Sequence, residues 1–213
     1  MISNSSEVDF IIKELNLKPQ DSVLLLGCKN GADLATELAD FGFKVTCIDN
    51  DIEILESLKK KNDKILTVNC PIKDYQTNET YDAALSIFGS SFCIFNENDN
   101  IWGKDMAILG NLSDTLKPNG RFLITLLNAS KFLRSLSDTE IENNVANIWL
   151  QTQTNKENRQ QTLRYYTPAE FTRMVNRVGL KISNIFGCNN RPIQPKALMP
   201  DDHRFIAIGN KKA

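Results

Sequence analysis

The sequence predicts an α/β fold in which helices cover both faces of a mostly parallel sheet. Short apolar strands alternate with segments of helical length up to residue 127, and the strands are apolar throughout, as at residues 22–26. The chain has 213 residues, of which 41% are hydrophobic and 24% charged, as is ordinary for one globular domain. We expect a single three-layer α/β/α sandwich, with residues 129–166 as a small insertion after the fifth strand.

Each predicted strand is a short apolar run that ends at residues typical of turns. The first strand stops at Gly27, and the fifth follows the sequence Lys-Pro-Asn-Gly at residues 117–120, which contains both of the strongest breakers of regular structure. The expected strands cover residues 22–26, 44–48, 64–68, 81–88, 121–127, 180–186 and 204–208.

The helices are predicted by apolar residues at helical spacing and by capping residues. Asp51 and Thr167 are expected to begin two of them, because a short polar side chain accepts hydrogen bonds from the N–H groups of a first helical turn. The expected helices cover residues 30–41, the segment after Asp51, residues 102–116 and residues 168–179. Within the insertion, residues 131–144 are expected to be partly helical, and residues 146–154 and 159–166 to form a hairpin.

The charge balance and the cysteines exclude several classes of protein. Lys plus Arg number 25 and Asp plus Glu 26, so no excess of basic charge supports a nucleic-acid partner. No apolar run approaches the roughly 18 residues that a membrane-spanning helix needs, and the polar start does not resemble a secretory signal. Five scattered cysteines and one histidine predict reduced thiols in a cytoplasmic protein and no metal site.

Polar and glycine residues follow the first four strands at the edge where parallel strands bind ligands. Residues 27–31 (Gly-Cys-Lys-Asn-Gly) lead from the first strand into a helix, and about twenty residues later Asp49 can accept both hydroxyls of a ribose. Asn69 and Cys70 can hold the edge and face of an adenine. Each feature alone also fits a turn, a cap or the core, but their order predicts a nucleoside-containing ligand.

Several motifs resemble the class I S-adenosylmethionine-dependent methyltransferases, most of all those that act on small molecules. They are residues 23–28 (Val-Leu-Leu-Leu-Gly-Cys), Asp49, residues 116–121 (Leu-Lys-Pro-Asn-Gly-Arg), residues 164–171 (Arg-Tyr-Tyr-Thr-Pro-Ala-Glu-Phe) and residues 204–208 (Arg-Phe-Ile-Ala-Ile). The resemblance covers nearly the whole chain. It implies a Rossmann-like, seven-stranded sheet whose last strand runs antiparallel between the fifth and sixth.

The resemblance also implies S-adenosylmethionine as cofactor and S-adenosylhomocysteine as product. Lys29 departs from the family pattern because it replaces the central glycine of the loop. Its ammonium can face solvent, reach the cofactor carboxylate or block the pocket. The residues implied to bind the cofactor are Gly27, Cys28, Asn30, Gly31, Asp49, Asn50, Asn69, Cys70, Ile87 and Phe88.

Methyl transfer from a sulfonium is an in-line displacement, so alignment contributes most and a base is needed only for a protonated acceptor. Tyr165 and His203 are candidate bases, although a histidine in a polar turn is more often a plain surface residue. The candidate substrate contacts, each of which also fits a core or solvated position, are Phe92, Phe95, Trp149, Arg164 and Tyr166.

The leading hypothesis is an enzyme that methylates an O, N or C atom of a small molecule. The first alternative is a cofactor-binding module of the same fold whose altered loop, with Lys29, has lost turnover. The second is a nicotinamide-dependent oxidoreductase, which the sequence disfavours because position 32 is Ala and the middle glycine of the dinucleotide motif is missing.

Overall fold

The structure, a computed structural model, describes residues 6–88, 91–96, 99–138, 150–154 and 160–212. In chain order its elements are α1 (Ser6–Glu14), β1 (Ser22–Leu26), α2 (Ala32–Asp40), β2 (Lys44–Asp49), α3 (Ile52–Lys61), β3 (Leu66–Asn69), a 3-10 turn (Ile72–Asp74), β4 (Tyr81–Ser86), β5 (Ile94–Asn96), α4 (Ile101–Thr115), β6 (Leu116–Leu127), α5 (Ala129–Leu133), β7 (Leu150–Thr154), β8 (Gln160–Arg164), α6 (Pro168–Arg177), β9 (Leu180–Cys188) and β10 (Arg204–Lys211).

Seven strands form the main sheet in the order β3-β2-β1-β4-β6-β10-β9. The strands from β3 to β6 pair in parallel, whereas β10 is antiparallel to both of its neighbours, β6 and β9. This confirms the predicted seven-stranded sheet with its last strand between the fifth and sixth. Because β10 runs backwards, its first residue, Arg204, lies at the edge where the parallel strands end.

Helices cover both faces because successive strand residues point to opposite sides of the sheet. Leu25 of β1 belongs to a core cluster with residues of α1, α2 and α3, and its neighbour Leu24 to a cluster with residues of α4 and α6. Burial on both faces is the reason that the strands are apolar throughout. None of the described helices has the length and apolar character needed to cross a membrane.

The predicted caps are confirmed. Oδ1 of Asp51 accepts the backbone N–H groups of Glu53 and Ile54 at 3.1 and 3.4 Å, and Oγ1 of Thr167 accepts that of Glu170 at 3.1 Å. Thr167 therefore begins α6 as the sequence indicates, with Pro168 in its first turn.

Two predicted strand boundaries differ from the structure for local reasons. Strand β6 begins at Leu116, but its pairing with β4 passes from Leu116 with Tyr81 directly to Arg121 with Ala83, so the turn expected at residues 117–120 is present as an irregularity within β6. Asn119 has a φ of 62° there, and a Cβ on Gly120 would lie 2.8 Å from the carbonyl oxygen of Lys117. Strand β4 ends at Ser86 because Phe88, with a φ of 53°, leaves the extended conformation.

A second sheet of three strands has the order β5-β8-β7. The antiparallel pair of β7 and β8 confirms the predicted hairpin, whereas β5, only three residues long, was not predicted, and neither was α1. Helix α5 lies at the start of the predicted polar helical segment, most of which falls outside the described residues. That residues 129–166 are an insertion stays a prediction.

Candidate functional site

The loop after β1 is tied to the end of β2 by backbone hydrogen bonds. Gly27 has a φ of 80°, which favours glycine, and its N–H donates to the carbonyl oxygen of Ile48 at 2.9 Å. The next residue, Cys28, is fully buried, and its N–H donates to Oδ2 of Asp49 at 2.7 Å. The loop is therefore held directly against the carboxylate that the sequence singled out.

Asp49 is 7% exposed as a residue, and both of its carboxylate oxygens have backbone partners. Besides the bond from Cys28, Oδ1 accepts the N–H of Asp51 at 3.0 Å. An ionised carboxylate has about four lone-pair sites, so two bonds leave acceptor capacity on each oxygen. Asp49 thus has a fixed orientation and can still accept hydroxyl groups of a ligand.

The residues predicted to hold an adenine lie beside Asp49. The N–H of Cys70 donates to the Asp49 carbonyl oxygen at 3.0 Å, and Nδ2 of Asn69 donates to the same oxygen at 3.3 Å. Asn69 and Asn50 are exposed, whereas Cys70 is half-buried. The ends of β2 and β3 therefore present a polar and an apolar side chain close together.

The end of β4 is joined to the same loop. Nδ2 of Asn30 donates to the Phe88 carbonyl oxygen at 3.1 Å, and the Phe88 N–H is bonded to Oγ1 of Thr125 on β6. Phe88 is half-buried, and Ile87 is 1% exposed. The structure therefore brings the ends of β1, β2, β3 and β4 to one edge of the sheet, with every predicted cofactor residue on them.

Gly31 sits where a side chain has no room. It precedes α2, and a Cβ on it would lie 2.8 Å from Cδ2 of the buried Leu25. Lys29 is exposed and borders a groove of about 310 Å³ together with Asp51 and Glu53 of the α3 side. Its φ lies outside the left-handed region, so the loop accepts a residue with a side chain at this position. Of the three alternatives for Lys29, this position favours the one that faces solvent.

Arg164 and Tyr166 are enclosed in the core, which corrects the expectation that they contact substrate. Nη1 of Arg164 lies 3.1 Å from Oδ2 of Asp105, and Nη2 lies 2.7 Å from Oε1 of Glu170. The Tyr166 hydroxyl bonds the same Asp105 oxygen. Burial raises the pKa of Asp105 to about 6 and that of Tyr166 well above its ordinary value. The group joins β8 to α4 and α6.

The predicted aromatic wall of a substrate pocket is also placed elsewhere. Phe92 and Phe95 are fully buried, and Phe92 packs edge-on against Phe171 with ring centroids 6.1 Å apart. Trp149 lies outside the described residues. The structure instead places a stacked pair, Phe132 and Tyr165, after β6 and β8, with centroids 4.0 Å apart and planes within 5°.

The two candidate bases lie at the ligand edge in different surroundings. Tyr165 is half-buried, its hydroxyl donates to Oε1 of Gln151 at 2.7 Å, and burial raises the pKa of its phenol. His203 is exposed in the turn before β10, and its backbone N–H donates to Oδ1 of Asn189 at 3.0 Å. The exposed position of His203 in a turn agrees with the sequence-based interpretation that it is a surface residue and not a base.

Solved structures resemble the chain, although no protein-family model and no curated protein sequence matches it. The CcbJ methyltransferase from Streptomyces caelestis is 17% identical with a TM-score of 0.71, over 97% of this chain and 90% of its own. An S-adenosylmethionine-dependent methyltransferase from Clostridium acetobutylicum is 16% identical with the same TM-score, over 97% and 91%. The chain has the fold of these methyltransferases.

A third structure with the methyltransferase fold was solved with ligands. The 1,6-didemethyltoxoflavin-N1-methyltransferase from Burkholderia thailandensis, with bound 1,6-didemethyltoxoflavin and S-adenosylhomocysteine, is 18% identical with a TM-score of 0.62. The match covers 97% of this chain and 77% of that one. The likeness extends over nearly the whole of this chain, as the sequence motifs indicated.

Sequence reasoning missed two arginines at the ligand edge of this methyltransferase fold. Nη2 of Arg191 lies 2.6 Å from Oε2 of the buried Glu7, and its Nη1 bonds the Asn30 carbonyl oxygen, so α1 is tied to the loop after β1. The guanidinium of Arg204 lies 5.2 Å from the centroid of the Phe88 ring. The only available signal for Arg204 was its place as first residue of the antiparallel strand.

Proposed function

We propose that the chain is an S-adenosylmethionine-dependent methyltransferase that acts on an O, N or C atom of a small molecule. The observation that carries this proposal is the Asp49 carboxylate, held by the loop at Cys28 and at the end of β2, in a sheet with the methyltransferase fold. Neighbours of this fold were solved with S-adenosylhomocysteine or with sinefungin.

The residues present fit this cofactor. Asp49 keeps acceptor capacity for two ribose hydroxyls, Asn69 offers a polar group to an adenine edge, and Cys70 offers an apolar contact to its face. Gly27, with a φ of 80°, lets the loop turn at the end of β1, and the missing side chain of Gly31 lets the loop pack against Leu25 at the start of α2.

When bound, S-adenosylmethionine supplies an electrophilic methyl group on a sulfonium. Ile87 and Phe88 line the predicted methyl-donor end and exclude water from it, while Asn30 fixes Phe88 to the loop. Holding donor and acceptor in line contributes up to about 7–11 kcal/mol to the rate enhancement. The Tyr165 hydroxyl donates its one proton to Oε1 of Gln151, so it orients the acceptor by accepting a hydrogen bond from the acceptor's hydroxyl or amine group.

The two alternatives have less support. The loop conformation accommodates Lys29, which supports the enzyme over the cofactor-binding module without turnover.

The partner we propose is a small-molecule acceptor, with neither a nucleic acid nor a membrane. The compartment we propose is the cytoplasm, because all five cysteines are free thiols.

The test is a direct assay of methyl transfer. Purified protein is incubated with S-adenosylmethionine and a panel of small hydroxy, amino and carbon acceptors, and release of S-adenosylhomocysteine is measured by mass spectrometry. Calorimetric titrations with S-adenosylhomocysteine and with NAD accompany the assay. Turnover with at least one acceptor supports the proposed methyltransferase activity. If the protein binds NAD but does not bind S-adenosylhomocysteine, the proposal is wrong.

A further inference from the structure

Arg204 is placed at the acceptor side of the proposed site by the topology of the sheet. It pairs with Leu127 at the end of β6 and with Cys188 at the end of β9. Since β10 is antiparallel to both, its first residue lies where the other strands finish. The guanidinium lies 5.2 Å from the centroid of Phe88, the residue predicted to line the methyl-donor end.

The charge of Arg204 lacks a carboxylate partner among the described residues. No described Asp or Glu oxygen lies within 4.0 Å of its guanidinium, and its one side-chain hydrogen bond to the described chain is a long one of 3.4 Å to the Asn189 carbonyl oxygen. Arg164 and Arg191 each pair with carboxylates at 3.1 Å or less. Arg204 is half-buried, and among the described residues its charge is compensated only by the Phe88 ring and one weak hydrogen bond, so the lost hydration of the guanidinium is poorly replaced.

A flat aromatic surface lies within electrostatic reach of this cation. The positive charge of Arg204 lowers the pKa of the Tyr165 phenol against the larger, raising effect of burial. Tyr165 is stacked on Phe132, with the two ring planes within 5°. Leu127 at the end of β6 pairs with Arg204 and its carbonyl oxygen accepts the N–H of Tyr166 at 2.9 Å, so Arg204 and Tyr165 both lie next to the end of this strand.

We propose that Arg204 determines acceptor specificity by binding a carboxylate of a planar, aromatic acceptor. This inference rests on the proposed methyltransferase function. The guanidinium fork matches a carboxylate in a bidentate pair, and the stacked rings match a planar molecule. A single charge suits a monoanion better than a phosphate dianion, because the nearby basic residues are already paired, Arg191 with Glu7 and Lys196 with Asp202.

The experiment compares matched probes on protein saturated with S-adenosylhomocysteine. The probes are anthranilate, 4-hydroxybenzoate, the primary amide of each, and phenyl phosphate, and their binding is followed by ligand-detected NMR. We expect each acid to bind about 10-fold or more tightly than its amide. Arg204→Gln should abolish this preference, Arg204→Lys should keep part of it, and Arg177→Gln, an exposed arginine at the end of α6, should leave it unchanged.

Several results would overturn the inference. They are equal binding of acids and amides, an undiminished preference in Arg204→Gln, or tighter binding of phenyl phosphate than of the acids. Should Arg204→Gln not fold, the comparison of acids with amides on the natural chain still decides. Failure of the proposed function is distinct, because the natural chain would then not bind S-adenosylhomocysteine in the first titration.

Discussion

The backbone N–H of Cys28 donates to Oδ2 of Asp49 across 2.7 Å, although the two residues are 21 positions apart. This bond makes the loop after β1 and the acid after β2 one unit. A hydrogen bond to an ionised group contributes about 1.5–3 kcal/mol, so the loop conformation depends on the charge of Asp49. Binding of a ligand to Asp49 is therefore coupled to the conformation of the loop after β1.

Gly31→Ala should destabilise the protein, because the new methyl group would lie 2.8 Å from Cδ2 of Leu25. We expect the free energy of unfolding in urea to fall by about 1–3 kcal/mol. Gly110→Ala is the matched control: nothing lies within 4 Å of a Cβ there, in the middle of α4, and alanine should stabilise by about 0.5–1 kcal/mol. Equal effects of both substitutions would show that Leu25 does not crowd this position.

Lys29→Gly restores the glycine of the family pattern. Because Lys29 is exposed and faces the α3 side, we expect the affinity for S-adenosylhomocysteine to change less than about threefold, which corresponds to about 0.7 kcal/mol. Calorimetry of the two proteins checks this. A gain of tenfold or more would mean that the lysine obstructs the cofactor tail.

Glu7→Gln should weaken the attachment of α1. The Glu7 carboxylate is buried and accepts bonds from Arg191 and from the N–H of Ile193 at 3.0 Å, so its loss leaves a poorly compensated arginine. We expect about 3 kcal/mol of destabilisation in urea unfolding. Lys61→Gln, which breaks the exposed pair with Asp33, should cost less than about 0.5 kcal/mol. Similar losses in the two variants would contradict the account.

Asp105 should make stability depend on pH. Burial raises its pKa from 3.8 to about 6, so the fold favours the protonated carboxyl. This contribution is fully present below about pH 4 and is lost as the pH rises through about 6, with a total of about 3 kcal/mol. The pKa values of Asp82, Asp99 and Asp202 are lowered from 3.8, so these groups change the stability only at pH values below this range.

Urea unfolding between pH 4 and 7.5 (about the range in which Asp105 titrates) measures this contribution. Asp105→Asn carries no charge at any of these pH values, so the decline in stability with rising pH should be smaller in the variant than in the natural chain. The same pH dependence in both proteins would mean that Asp105 is not the group that titrates.

The main sheet and its ligand edge were predictable because their signals are local. Apolar runs and the caps Asp51 and Thr167 each lie within one strand or helix start, and the spacing from Gly27 to Asp49 spans a single strand–helix–strand unit. The order of strands, with β10 antiparallel, required the family resemblance, since no local pattern distinguishes a parallel from an antiparallel buried strand.

The failures involve partners that are distant in the sequence. Arg164 looked available for a substrate, but Asp105, 59 positions earlier, neutralises it in the core. Strand β5 is too short for a periodic pattern and exists because Phe95 packs inward while its backbone pairs with β8. Arg204 was missed because its one signal, the first position of β10, becomes meaningful only with the direction of that strand and the position of Phe88.

The central claim is that Asp49 binds the ribose of S-adenosylmethionine. The most direct test is calorimetric titration of S-adenosylhomocysteine into three proteins: the natural chain, Asp49→Asn and Asp51→Asn. Loss of the charged acceptor should weaken binding about 10- to 150-fold in Asp49→Asn. Asp51→Asn should bind like the natural chain, because asparagine caps α3 equally well. Unchanged affinity in Asp49→Asn, or no binding to the natural chain, would contradict the account.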